Sequence, residues 1–336
     1  MRARLIVATV LIVGLGNLAM GQAPRKSRLN PIIELLEQKK PVFGLYAPSN
    51  RRGGPPGPGA VAPAVQLPEK SPAELAKEAL GYAHSDFVFD GSMEGNFDRG
   101  YASYAEFVKG AAQLGLFTKS PAHKLHHPLV VKAPEIAPNP AAVGAQIGRQ
   151  LNLGVSGVMF VSVESAEEVR QGLAAMRFTS KGGTRSEDVG TAPALWGLSE
   201  AEYKAKADIW PLNPDGELIN WTIVESKAGL AKVREIAAVQ GIGVLWPGAG
   251  TLRGIFSTTD ANGKRVLDEA AWEASIQQVL AACKEFNVPC GYPASANDIE
   301  MRMKQGFSVF VMNWGDAGFK TIDIGRKASG RADTSR

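Results

Sequence analysis

Four apolar runs in this chain end in groups that can hold or move charge. Phe87-Val88-Phe89 leads into Asp90, and Glu94 and Asp98 follow within the next turn. Leu129-Val130-Val131 ends in Lys132, and Trp221-Thr222-Ile223-Val224 ends in Glu225. Val244-Leu245-Trp246-Pro247 ends in Gly248-Ala249-Gly250-Thr251. An unpaired carboxylate at the end of a buried strand is costly, so such groups call for a partner. Carboxylates can accept a proton from a reacting carbon or ligate a hard cation such as Mg²⁺ or Mn²⁺. Lys132 can hold an anion as a point charge, and backbone N–H groups at 248–250 can cradle a carboxylate. Arg185, in Lys-Gly-Gly-Thr-Arg, is placed either to clamp an anion or to face solvent. Each has a plainer reading beside it. Lys132 and Glu225 can simply pair, Asp90 can cap its turn, and Glu94 can be a solvated loop acid.

The elements that position these groups alternate regularly. Short apolar runs at 41–46, 87–90, 127–134, 157–163, 220–226, 242–248, 288–293 and 307–315 read as strands, and most are followed by a helical pattern. Ser71 reads as an N-cap with Pro72 in the first helical position. Continuously apolar strands alternating with helices indicate a parallel sheet covered by helices. Eight such units predict a single-domain (β/α)8 TIM barrel over 31–325, with chemistry at the C-terminal ends of the strands. An open doubly wound sheet is the alternative, but no Gly-x-Gly-x-x-Gly turn follows the first strand.

Charge and composition narrow the function classes. Of 336 residues, 45% are hydrophobic and 21% charged, as in an ordinary folded protein. Residues 1–21 carry Arg2 and Arg4, an apolar run and Ala19-Met20-Gly21, the pattern of a secretory signal peptide. An uncleaved anchor is the alternative, although the run is short for a span. Cleavage lowers the formal charge from +4 to +2 and implies a periplasmic or secreted protein free of the membrane. No dense basic and aromatic patch suggests nucleic acid. A polar lead is expected at 22–30, a long Gly/Pro-rich surface loop at 49–70 and a flexible tail at 326–336. Cys283 and Cys290 are read as two free, partly buried thiols, although export would allow them to oxidise. His84, His123, His126 and His127 precede strands and are expected on the surface at the far end of the barrel. Trp246 and Trp314 stand at strand ends, as packing or as pocket walls.

Six segments stand in order along the chain: VVKAPEIAPNPAAVGAQI, GVSGVMFVSVESAEEVRQGLAAMRF, Thr184-Arg185, ALWGLSEAEYKAKA, TIVES and LWPGAGTL. Together they resemble the HpcH/HpaI aldolase and citrate lyase family over roughly Asn30 to Gly325. The resemblance implies a (β/α)8 barrel, a homo-oligomer, bound Mg²⁺ or Mn²⁺, and carbon–carbon cleavage or formation on small 2-oxo acids through a metal-stabilised enolate. It implies that Glu225 is a metal ligand. Thr251 stands where the family has a second ligand, an Asp. Lys132 stands where the family has an Arg, and Arg185 matches its Arg-containing loop. Asp90 matches the Asp that orients a catalytic His. That His is absent: with one inserted residue Glu94 takes its place, and without the insertion Met93 does. The reading is a carbon–carbon lyase acting on a 2-oxo acid or related carboxylate. Glu94, Asp90 and Lys132 would be its catalytic residues, and Lys132, Gly248, Ala249, Gly250, Thr251 and Arg185 would contact substrate. The alternative is a barrel that binds a carboxylate without turning it over.

Overall fold

Eight short parallel strands form the centre of the molecule, in a computed structural model that describes residues 27–50, 68–118 and 122–331. The leader at 1–21 and most of the 49–70 loop lie outside the described residues. The strands are β1 (Val42–Tyr46), β2 (Val88–Asp90), β3 (Leu129–Lys132), β4 (Gly157–Phe160), β5 (Leu218–Val224), β6 (Val244–Pro247), β7 (Gly291–Tyr292) and β8 (Val309–Met312). They lie in the order β7-β8-β1-β2-β3-β4-β5-β6. The ring closes between β6 and β7 through a single parallel bridge, Leu245 to Cys290. There the Leu245 N–H donates to the Pro289 carbonyl at 2.9 Å. A chain whose strands each pair with the next, with helices between, is the (β/α)8 barrel expected from the alternation.

Strand alternation sorts the core into two clusters. Val42, Phe89, Val130, Met159, Trp221, Trp246 and Val311 point into the barrel, and Trp221 lies at its centre. The Trp221 ring stacks on Trp246 at 5.6 Å and on Phe89 at 5.8 Å between centroids. Aromatic pairs at such distances add to the free energy of area burial. Space for Trp246 comes from Gly291 on β7, where any Cβ would collide with the indole. The outer cluster lies between the strands and the helices, and includes Phe43, Val131, Phe160, Leu245 and Phe310.

The helix Pro31–Glu37 plugs the N-terminal end of the barrel, its Ile32, Ile33 and Leu36 joining the interior cluster. Of the expected polar lead at 22–30, residues 27–30 are described, and Arg28, Leu29 and Asn30 among them are buried. Arg28 is buried, pairs with Glu37, and donates to the carbonyls of Gly216 at 3.2 Å and Pro214 at 2.7 Å. Asn30 caps the plug by accepting from the Ile32 N–H, and its own N–H donates to Glu217. A buried cation survives only with partners, and the chain around the plug supplies them.

Three further expectations change. The last helix, Asp316–Ala328, runs past the predicted start of the tail. Beyond it, Arg331 donates to both oxygens of buried Asp86, at 2.8 and 2.6 Å. Cys283 and Cys290 form a disulfide, their Cα atoms 5.7 Å apart, within the normal bridging range. It ties the helix Glu269–Glu285 to the residue that closes the ring. His127 is buried, its Nε2 3.2 Å from the Tyr82 carbonyl oxygen. His84 pairs with Asp323 and His123 contacts the Trp196 carbonyl. None of the four histidines lines the pocket at the C-terminal ends of the strands.

Candidate active site at the barrel mouth

A pocket of about 220 Å³ opens at the C-terminal ends of the strands. Its walls are mostly apolar, with Phe89, Met159, Ile223, Trp246, Pro293 and Val311 among them. Lys132, Glu225 and Thr251 provide the charged and polar side chains, and Tyr46 stands beside them. The period-2 alternation of a strand explains who faces inward. Val130 and Lys132 share one face of β3, and Ile219, Trp221, Ile223 and Glu225 share one face along and just past β5. Each strand therefore ends its inward row with one charged group.

Lys132 is largely enclosed, its side chain 15% exposed, and its Nζ donates to Glu94 Oε2 at 2.8 Å. Burial alone would pull its pKa down. The hydrogen bond and charge of Glu94, with Tyr46 and Glu225 nearby, outweigh burial and hold it above the ordinary lysine value. Glu94 reaches Lys132 because the loop after β2 turns Met93 into the core. Gln150 there donates to the Met93 sulfur at 3.5 Å. Of the two alignments open in the sequence, the structure sets the glutamate on Lys132, although Glu94 itself does not line the pocket.

Glu225 is buried just past the end of β5. One carboxylate oxygen accepts from the Ser162 N–H at 3.0 Å, and the other accepts from the Thr251 hydroxyl at 2.6 Å. Ser162 directs that N–H from a left-handed conformation, φ 51°, which non-glycine residues seldom adopt. Such an outlier beside a buried carboxylate is backbone strain held at a site. Gly248 packs so closely on Glu225 that any Cβ there would meet the glutamate side chain.

Three site expectations are corrected. Asp90 accepts from the N–H and hydroxyl of Ser92 at 2.7 and 2.5 Å, so it caps the turn that carries Glu94 rather than contacting the pocket. Arg185 lies away from the mouth, buried on the Phe178 ring at 4.3 Å and donating to Asn152 at 2.8 Å. Its loop leads back to Arg177 by backbone hydrogen bonding, which carries it to the helical shell. The Gly248 N–H is committed to the Val224 carbonyl at 2.9 Å, so Gly248 lines the pocket with Ala249, Gly250 and Thr251 but does not offer that N–H to a ligand. Sequence reasoning missed Tyr46, Met159 and Ser162. Tyr46, the last residue of a strand already recognised, carried the clearest signal.

The donor set can be tested against a divalent cation. Mg²⁺ and Mn²⁺ seek several oxygen ligands, carboxylates foremost. Glu225 and Thr251 offer one carboxylate and one hydroxyl, and each Glu225 oxygen keeps a further lone pair. Among the described residues no three His, Cys, Asp or Glu side chains converge. One ammonium faces two carboxylates across the mouth, which leaves it net negative and receptive to a cation. The residues fit a divalent cation as a partial seat, completed by water or by oxygens of a ligand.

The architecture is shared with solved structures. An HpcH/HpaI aldolase/citrate lyase family protein from Burkholderia cenocepacia is 21% identical with a TM-score of 0.58, over 84% of this chain and 92% of that one. An HpcH/HpaI aldolase from Desulfitobacterium hafniense is 16% identical with a TM-score of 0.57, over 91% and 98%. Macrophomate synthase is 17% identical with a TM-score of 0.57, over 89% and 87%. At these identities the likeness speaks for the fold. No curated protein matches the chain. The HpcH/HpaI aldolase/citrate lyase family model matches residues 114–315, more than half of the sequence, and the chain belongs to that family.

Proposed function

We propose that the protein is a carbon–carbon lyase of the aldolase type, acting at the barrel mouth on a small 2-oxo acid or related carboxylate. The observation that carries this reading is the enclosed Lys132, paired with the more exposed Glu94 at its outer side and set beside Glu225 in a pocket of about 220 Å³. That volume suits a molecule of a few carbons. Lys132 would hold the substrate carboxylate or the oxyanion that develops on it. As the substrate carboxylate engages Lys132, it competes with Glu94 for the ammonium and frees that glutamate to take or return a proton. Apolar walls around the reacting atoms keep water out and strengthen each charge interaction. Glu225 and Thr251 would hold a divalent cation, which when bound would polarise the 2-oxo group as a Lewis acid. Asp90 is assigned to positioning Glu94 through its turn.

The test is release of pyruvate from 4-hydroxy-2-oxo acids by purified protein with Mg²⁺ or Mn²⁺. Glu225→Gln and Glu94→Gln are each expected to lower kcat/KM by about 100-fold or more, in line with removal of a general base or of a group that stabilises charge. Full activity in Glu225→Gln would overturn the assignment.

One observation favours a second reading, a barrel that binds a carboxylate without turnover: no histidine lines the mouth. Stabilisation by 2-oxo acids with no product would select it. Export to the periplasm or medium, suggested by residues 1–21, and homo-oligomer formation, suggested by the family, complete the proposal. Cell fractionation and light scattering test them.

A further inference from the structure

The mouth combines an excess of negative charge with a shortage of ligands. Lys132 is opposed by Glu94, which it contacts at 2.8 Å, and by Glu225 in the same pocket. Among the described residues of the pocket no second carboxylate stands beside Glu225 but Thr251, whose hydroxyl donates to it at 2.6 Å. The other Glu225 oxygen already accepts from the Ser162 N–H. We infer that a divalent cation and the 2-oxo acid enter this pocket as a pair, each binding poorly without the other. The inference rests on reading the mouth as a 2-oxo acid site.

The physical case follows from each binding step taken alone. A lone cation meets one carboxylate, already hydrogen-bonded twice, and the repulsion of the Lys132 ammonium. It must keep most of its water. A lone carboxylate ligand enters a net negative pocket and must compete with Glu94 for Lys132. Together they cure both defects. The ligand's carboxylate and 2-oxo oxygens supply the coordination that one glutamate and one hydroxyl lack. The cation offsets the charge that would repel the ligand. Favourable coupling between two ligands is reciprocal, so each must raise the affinity of the other by the same factor.

The probes are Mn²⁺ and pyruvate on the full protein. Loss of the free-Mn²⁺ paramagnetic resonance signal measures one ligand, and the shift in unfolding midpoint measures the other. In the unmodified protein, Mn²⁺ alone and pyruvate alone should each give little binding, and saturating pyruvate should raise Mn²⁺ affinity by about 100-fold. Thr251→Asp supplies the second carboxylate and should bind Mn²⁺ without pyruvate. Thr251→Asn, which has the size but not the charge, should keep the dependence. The inference is overturned if the unmodified protein binds Mn²⁺ equally with and without pyruvate. It is also overturned if chelator leaves pyruvate binding unchanged. If the unmodified protein binds neither, even together, while Thr251→Asp binds both, the pairing is wrong and the 2-oxo acid reading stands. If Thr251→Asp also binds nothing, that reading falls as well. The titrations of the unmodified protein decide the pairing even if a variant does not fold.

Discussion

At the residue scale the protein is organised around Lys132. Because its pKa is held above the ordinary lysine value, its charge is present through neutral and mildly alkaline pH. A folded pKa above the unfolded one makes the ammonium's stabilising contribution complete below the unfolded value, and that contribution is lost as pH rises through the folded value. Ligand affinity should therefore stay flat from pH 7 up to the ordinary lysine value of 10.5 and fall only above it, as a calorimetric titration series would show. Lys132→Met should lose about 100-fold in affinity, as expected when a charge-assisted contact is removed and Glu94 is left unpaired. Lys132→Arg should recover part of that loss, since it restores charge with a different donor geometry. Gly248→Ala should displace the Glu225 side chain, because its Cβ would occupy the same space. The expected result is a lowered unfolding midpoint together with loss of metal-dependent binding, since the collision is with the root of the Glu225 side chain.

At the scale of elements, the sequence makes some features plain and hides others, for physical reasons. All eight barrel strands were legible, since a strand buried on both faces is a continuous apolar run. Lys132 and Glu225 were legible as charges that break such runs at their ends. Glu94 was not settled, because a one-residue insertion in a turn leaves no periodic trace, and Asp90 could not be assigned until Ser92 was seen on it. Arg185 misled because a charged residue in a Gly-rich loop looks alike whether the loop faces a pocket or the helical shell. The end of the chain was missed for a different reason. Arg331 is anchored by long-range contacts, to Asp86 and to the Pro41 carbonyl at 2.6 Å, and local composition does not register these. Arg331→Ala should lower stability by about 2 kcal/mol, because it removes the bidentate partner of a buried carboxylate that keeps the Phe43 N–H at 2.8 Å and Arg326 at 3.7 Å. Chemical denaturation with activity measured alongside would check this, with activity retained in the folded fraction.

At the scale of the whole molecule, one end of the barrel is plugged and the other carries the site. The helix Pro31–Glu37 and Arg28 close the N-terminal end, so the pocket lined by Lys132 and Glu225 opens at the mouth. The disulfide was open in the sequence because bridging depends on the distance between a helix end and a strand start, which spacing does not fix. Replacing Cys283 and Cys290 with Ser should cost about 2 kcal/mol, the chain-entropy value for so short a loop. The midpoint of the unmodified protein should fall to match in the presence of reductant.

The bridge at Leu245–Cys290 has a kinetic counterpart. Every other neighbouring pair of barrel strands is joined along two or more residues, whereas this one is joined at a single point that the disulfide braces. The barrel is thus a hoop with a buckle, and local opening should start at the buckle rather than spread evenly around the ring. In native-state hydrogen exchange the Leu245 amide should be among the first barrel amides to exchange. Reduction should speed that amide far more than those of β2 and β3, on the opposite side of the ring.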